Sequence, residues 1–251
     1  DDISLTVEEG TIQGLLGENG AGKTTLMKIL SGYARADGGT MLLDGRETAF
    51  ASPAEAIANG IGMLHQDPMD VPALSVLDNF VLGCERGLAL HRKRAARRLS
   101  ELSHQFGFTL DRDELVGALT VGERQQLELM RLLALGVRVI VLDEPTTGIS
   151  EPQKMLLFAA LRKLAAQGLT VIFVSHKLDE VEALCSRATV LRAGRVVGEV
   201  QAPFSSDQLV MMMFGQCLER SARSEAELGD DVLTLQDVAV HTHQLSVENI
   251  T

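Results

Sequence analysis

Apolar residues in this chain fall into short runs, separated by glycine turns and by longer stretches of helical spacing. Ile12–Leu16 is a mostly apolar run stopped by Gly17, and a helical pattern carried by Leu26, Ile29 and Leu30 begins at Lys23. That order reads as a strand, a glycine-rich loop and a helix. Residues 40–43 read as a strand entering the tight turn Asp44-Gly45. Ser52-Pro53 with Glu55 opens a short helix, because proline suits the first helical position. Residues 61–65 form another apolar run. From about 67 to 135 the spacing turns helical, with Leu99, Leu102 and Phe106 on one face and Leu127, Met130 and Leu133 or Ala134 on another. Strands return at 137–142, 170–174 and 188–191, with helices near 151–167 and 177–184 between them. Residues 139–142 and 171–174 are continuously apolar rather than alternating, as parallel strands covered on both faces must be. The pattern predicts an α/β fold with a helical insertion at about 67–135.

Composition narrows the partners. The 251 residues are 45% hydrophobic, enough to bury a substantial core. A net charge of −11 argues against nucleic acid, which needs a concentrated positive field. The run His91-Arg92-Lys93-Arg94 with Arg97 and Arg98 is a local exception, and reads as a solvated helix face. Cys84, Cys185 and Cys217 are widely spaced and odd in number, as free thiols in a reducing compartment would be. No apolar run approaches the ~18 residues that a bilayer span requires. A cytoplasmic location follows as the expectation, with any membrane role coming through a partner.

The tail repeats the head. Residues 231–240 alternate apolar and polar like a strand, and Glu248-Asn249-Ile250-Thr251 parallels Asp1-Asp2-Ile3-Ser4. The chain is therefore expected to hold one domain over 1–218, an acidic linker over 219–230, and the first strands of a second copy over 231–251.

The chemistry sits in the loops. Gly17-Glu18-Asn19-Gly20-Ala21-Gly22-Lys23-Thr24 fits G-x-x-x-x-G-K-[ST] without departure. Glycines let the backbone N–H groups of such a loop wrap phosphate oxygens, and the following helix adds its positive end. Lys23 is expected to reach the β- and γ-phosphates, Thr24 to place its hydroxyl on Mg²⁺, and Thr25 to lie near the α-phosphate. Asp143 and Glu144 end an apolar run. An Asp-Glu pair at a strand end is by itself most often a turn. Paired with the glycine loop, Asp143 suits Mg²⁺ through water, and Glu144 suits the polarising of an attacking water.

A second motif narrows the reading further. Leu119-Thr120-Val121-Gly122-Glu123-Arg124-Gln125, shortly before residues 139–144, resembles the signature motif of ATP-binding cassette (ABC) ATPases. The resemblance covers nearly all of 1–218 and implies a P-loop NTPase core of the RecA-like kind, with an ABC β-subdomain and the inserted α-helical subdomain. It implies that Gln66 is the Q-loop glutamine, sensing Mg²⁺ and the γ-phosphate, and that His176 is the switch histidine contacting the γ-phosphate. It also implies that Thr120 and Gly122 touch the ATP held by another cassette, so that this chain carries two half-sites.

Two departures stand out. LTVGE replaces LSGGQ, and Ser150 stands where the D-loop normally has Asp, which puts the usual D-loop hydrogen bonding across the dimer in doubt. Both resemble the first cassette of tandem ATPases in bacterial simple-sugar and nucleoside importers, as do residues 61–82 and 187–198. The implied cofactors are ATP and Mg²⁺. The implied partners are a second cassette (tandem or homodimeric), transmembrane permease subunits and, indirectly, a solute-binding protein, on the inner face of the cell membrane. The rival is a soluble ABC ATPase acting on ribosomes or DNA. The family stacks adenine on an aromatic residue upstream of Asp1, and in the second copy His241 falls near that position.

Overall fold

The computed structural model describes residues 3–84, 91–215, 238–241 and 246–250. Contacts divide the chain into two units, Asp1–Leu218 and Glu219–Thr251.

In the first unit, five strands run parallel. They are β1 (Ile12–Leu16), β4 (Ile61–Leu64), β5 (Val139–Asp143), β6 (Thr170–Val174) and β7 (Arg187–Arg192). With antiparallel β8 (Arg195–Gln201) they form one sheet, ordered β4-β5-β6-β1-β7-β8. The continuous apolar runs divide between two cores, because successive side chains leave opposite faces. Leu16, Leu64, Ile140, Leu142, Val171 and Phe173 point into one core, and Leu15, Met63, Val141, Ile172 and Val174 into the other.

The smaller core is closed by α1 (Lys23–Leu30) through Met27, by Phe50, and by α2 (Pro53–Ala58) through Ala56. Ser52 caps α2 by accepting from the Glu55 N–H. The hairpin β2 (Met41–Leu43) and β3 (Arg46–Thr48) turns through Asp44 and Gly45, at φ 52° and 73°. Two positive φ values are what a tight two-residue hairpin demands. The larger core is closed by α3 (Val76–Cys84), α4 (Arg92–Phe106), α5 (Val121–Ala134), α6 (Glu151–Ala166), α7 (Leu178–Leu184) and α8 (Ser206–Phe214). Leu99, Leu102 and Phe106 are buried together as their spacing predicts. The helices α3, α4 and α5 pack on one another, while α5 also rests on β4.

The differences from the expected elements have physical causes. β5 starts two residues later than the apolar run, because the Val137 N–H turns back to the Leu132 carbonyl at the exit of α5. β8 was not expected at all. Only its alternate positions are partly buried, and Arg195, Val197, Glu199 and Gln201 occupy the outer ones, so it lacks a continuous apolar run. In the second unit, β9 (Val238–His241) and β10 (Ser246–Ile250) pair antiparallel. The linker 219–230, most of the expected strand 231–240 and Cys217 lie outside the described residues.

Three buried positions of α5, Gln125, Gln126 and Glu128, break the apolar pattern, and one of them is an acid. Glu128 of α5 is only 7% exposed, and burial pushes its carboxyl up to about 7, with Arg131 acting in the opposite direction. A folded-state value above the unfolded one means stability is highest below the unfolded pKa and is lost as pH rises through the folded one. Glu128→Gln is therefore expected to stabilise the chain at pH 8, by on the order of 2 kcal/mol. The gain should vanish near pH 5, where the native carboxyl already carries its proton. Urea unfolding at both values checks this, and an equal gain at both would exclude the titration.

Candidate nucleotide site

Parallel strands deliver their carboxyl ends to one edge of the sheet, and that edge gathers the candidate residues. Because β5, β6 and β1 are neighbours, residues 143–144, 175–176 and the loop after Leu16 leave the sheet side by side. The loop 17–22 closes with the Ala21 N–H on the Glu18 carbonyl, 3.1 Å, and is braced by the Gly194 N–H on the Ala21 carbonyl, 3.0 Å. A Cβ at Gly17 would collide with the Leu191 carbonyl, so only glycine permits that approach. Gly22 caps α1 at φ 101° without a side-chain hydrogen bond, and no acid lies in the first turn. Any negative charge at the positive end of α1 must therefore come from outside the helix, as the Asp143 carboxyl does at Thr24.

Lys23 is 5% exposed, and its Nζ donates to the Gly17 carbonyl at 2.8 Å and to the Glu18 carbonyl at 3.1 Å. Burial lowers its pKa, while the Glu144 and Asp143 carboxylates pull it upward. Thr24 and Thr25 open α1 on the exposed side of the loop, with Glu18, Asn19 and Gly20 also exposed. Burial raises the Asp143 carboxyl, opposed by a hydrogen bond with the Thr24 side chain. Glu144 takes the left-handed region at φ 48°, which a residue with a Cβ rarely adopts. Its N–H bonds the Val174 carbonyl at 3.0 Å, and its Oε1 lies 2.9 Å from His176 Nδ1. Strain of this kind concentrates where a side chain must be aimed.

The structure thus brings together Lys23, Thr24, Asp143, Glu144 and His176. Gln66 follows β4 next to β5 and is exposed, and the neighbouring His65 feels the Asp143 charge. Among the described residues, no hydrogen bond joins Thr120 or Gly122 to this group. Both sit at the start of α5. Thr120 caps that helix through a reciprocal box with Glu123: the Thr120 N–H and hydroxyl donate to Glu123 Oε2 at 2.8 and 2.7 Å. Glu in place of the usual Gln in the signature therefore has a local structural role.

Gln153 escaped the sequence reading. Its Nε2 donates to Thr120 Oγ1 at 2.7 Å, and its Oε1 accepts from the Ser150 N–H at 3.1 Å and hydroxyl at 3.2 Å. Ser150 precedes α6 as its N-cap residue and is held there by Gln153. The S-x-x-Q spacing was the available signal. Gly122 leaves room for this contact, since a Cβ there would lie 2.6 Å from Gln153 Cδ and push that side chain aside.

A family profile described as ABC transporter matches residues 1–147. A ribose import ATP-binding protein of Halalkalibacterium halodurans is 39% identical over 222 residues, covering 86% of this chain and 44% of that protein. One of Rubrobacter xylanophilus is 41% identical over 239 residues, covering 94% and 48%. An arabinose import ATP-binding protein of Burkholderia lata is 41% identical over 220 residues, covering 86% and 44%. The chain spans about half the length of these curated relatives. Among solved structures, an ATP-binding cassette of an ABC transporter in its ADP conformation superposes with TM-score 0.75 at 23% identity, covering 85% of this chain and 91% of that one. A nucleotide-free cassette gives 0.74 at 23% identity, covering 86% and 88%. At such identity the likeness establishes the fold, an α/β cassette of the P-loop kind.

Proposed function

The chain belongs to the ABC transporter family, and on that premise we propose that it binds and hydrolyses ATP to power import of a simple sugar or nucleoside. The observation that carries this reading is the gathering of Lys23, Thr24, Asp143, Glu144 and His176 at one sheet edge. The relatives' names, all of them sugar importers, support it over a ribosome- or DNA-acting ATPase, as does the net charge of −11.

The residues present fit ATP and Mg²⁺. Backbone N–H groups of Gly17, Glu18, Asn19, Gly20 and Gly22, with the positive end of α1, suit phosphate oxygens, while that of Ala21 closes the loop on the Glu18 carbonyl. Thr24 and Asp143 offer two hard oxygens already within hydrogen-bonding reach of each other. Among the described residues no cluster of three His, Cys, Asp or Glu side chains could hold a metal alone. Mg²⁺ keeps waters and phosphate oxygens as most of its ligands, so two protein oxygens suffice. Bound there, the ion would neutralise charge on the phosphates.

The remaining roles belong to the chain. Lys23 would bind the β- and γ-phosphates, with Thr25 near the α-phosphate and Gln66 near the ion. Glu144, aimed by its own backbone and by His176, would orient and polarise the attacking water. His176 would also meet the γ-phosphate. Thr120 and Gly122 would serve the ATP of a second cassette. A linker over 219–230 and the start of that cassette over 231–251 accord with a chain about half as long as its relatives.

Permease subunits, and a solute-binding protein through them, would be the further partners, on the inner membrane face. No described helix is long and apolar enough to cross a membrane. The whole protein, pulled from detergent-solubilised membranes, should bring a polytopic membrane protein with it. Recovery with ribosomes and without such a protein would overturn the transport reading.

A further inference from the structure

Three side chains of α5 hold one loop. Arg124, Glu128 and Arg131 are four and three residues apart, so they share a helix face. Arg124 grips Asp70 with two parallel bonds, Nε to Oδ2 at 2.6 Å and Nη2 to Oδ1 at 2.7 Å. Glu128 accepts a hydrogen bond from the Met69 backbone, and Arg131 Nη1 donates to the Met69 carbonyl at 2.9 Å. Both polar groups of the Met69 backbone and the carboxylate of the next residue are therefore held by one helix. The same loop begins with Gln66, and the same helix begins with the Thr120 cap and Gly122.

The neighbours are shaped for this arrangement. Gly83 of α3 makes room for Arg131, whose guanidinium would collide with a Cβ there. Asn79 of α3 holds the far side of the loop through Val71, accepting from its N–H at 2.8 Å and donating to its carbonyl at 3.0 Å. The Tyr33 hydroxyl meets the Met69 sulfur at 3.7 Å. Glu128 Oε2 and Arg131 Nε are buried without hydrogen-bond partners, so the assembly is not fully satisfied.

We infer that Arg124, Glu128 and Arg131 are positioning residues that tie the Gln66 loop to the signature helix, so that the two half-sites of one cassette report to each other. The inference rests on the nucleotide roles proposed for Gln66, Thr120 and Gly122. The clamp is also proton-sensitive. The charged or titratable groups facing Glu128 are Arg131 and Arg124 on its own helix, Asp70 on the loop and Tyr33 after α1, while α3 adds the neutral Asn79. Burial brings the Glu128 carboxyl up to about 7. Above that value the ionised carboxylate makes a charge-assisted bond to Met69 and faces Arg131. Below it both attractions weaken.

Amide and carboxyl NMR of this chain from pH 5.5 to 8.5 tests the inference. The Glu128 carboxyl and the Met69 and Asp70 amides should titrate together near 7, and the Gly122 amide should follow with the same midpoint. In Glu128→Gln the three amides should stay still. Absence of a Glu128 midpoint between 6 and 8 overturns the inference in the parent chain alone, whether or not the variant folds. Titration that persists in the variant, or a Gly122 amide that ignores Met69, also overturns it. ATP binding on the same samples is read separately. Its absence with the titration intact would remove the nucleotide reading and leave the clamp.

Discussion

Glu144→Gln in the whole protein should leave MgATP bound within about twofold of the parent while cutting hydrolysis at least about a hundredfold. The size follows from the geometry. Glu144 does not hydrogen-bond the glycine loop; its carboxylate is held by His176 at 2.9 Å and its backbone by Val174 at 3.0 Å. Glutamine keeps the shape and the contact with His176, so binding survives. The amide is neutral and a poor proton acceptor, so the attacking water loses the group that orients and polarises it. The strained backbone at φ 48° remains in the variant, which separates the loss of charge from any change of aim. Steady-state phosphate release alongside equilibrium nucleotide binding checks both halves. Turnover close to the parent's would remove Glu144 from its proposed role.

Lys23→Ala should act on binding itself. The ammonium is buried, and it faces Asp143 and Glu144 while donating to the Gly17 and Glu18 carbonyls. Removing it takes away the only cation of the loop 17–24 and two of the hydrogen bonds that hold the loop's entry. A charge-assisted contact to phosphate in such a partly dry site is worth about 3 kcal/mol, so affinity should fall at least about a hundredfold. Folding should survive, since the helix that follows is anchored through Met27. Competition against a fluorescent nucleotide measures the loss, and unfolding by urea confirms that the chain is intact.

These two residues were legible in the sequence because chemistry and local structure coincide there. A glycine loop between an apolar run and a helix, and an acidic pair ending a run buried on both faces, leave little freedom of placement. The sheet's inner strands were legible for the same reason, since 139–142 and 171–174 must be covered on both sides. What the sequence concealed depends on contacts between distant positions. Arg124 and Asp70 lie 54 residues apart, and nothing near either one announces the other. Glu128 looks like an exposed helical acid until β4 and α3 are packed around α5. β8 was lost because an edge strand with charged outer positions carries a weak apolar signal. The contact of Ser150 with Gln153 was signalled only by the S-x-x-Q spacing, which carries no sign of the further bond from Gln153 to Thr120.

The central claim is that the loop 17–24 of this chain binds ATP with Mg²⁺. Calorimetric titration of the purified chain with ATP tests it most directly. The account predicts one ATP bound per chain, weakened when Mg²⁺ is chelated and lost in Lys23→Ala. A folded chain that takes up no ATP, or binds it equally well with Lys23 removed, would contradict it.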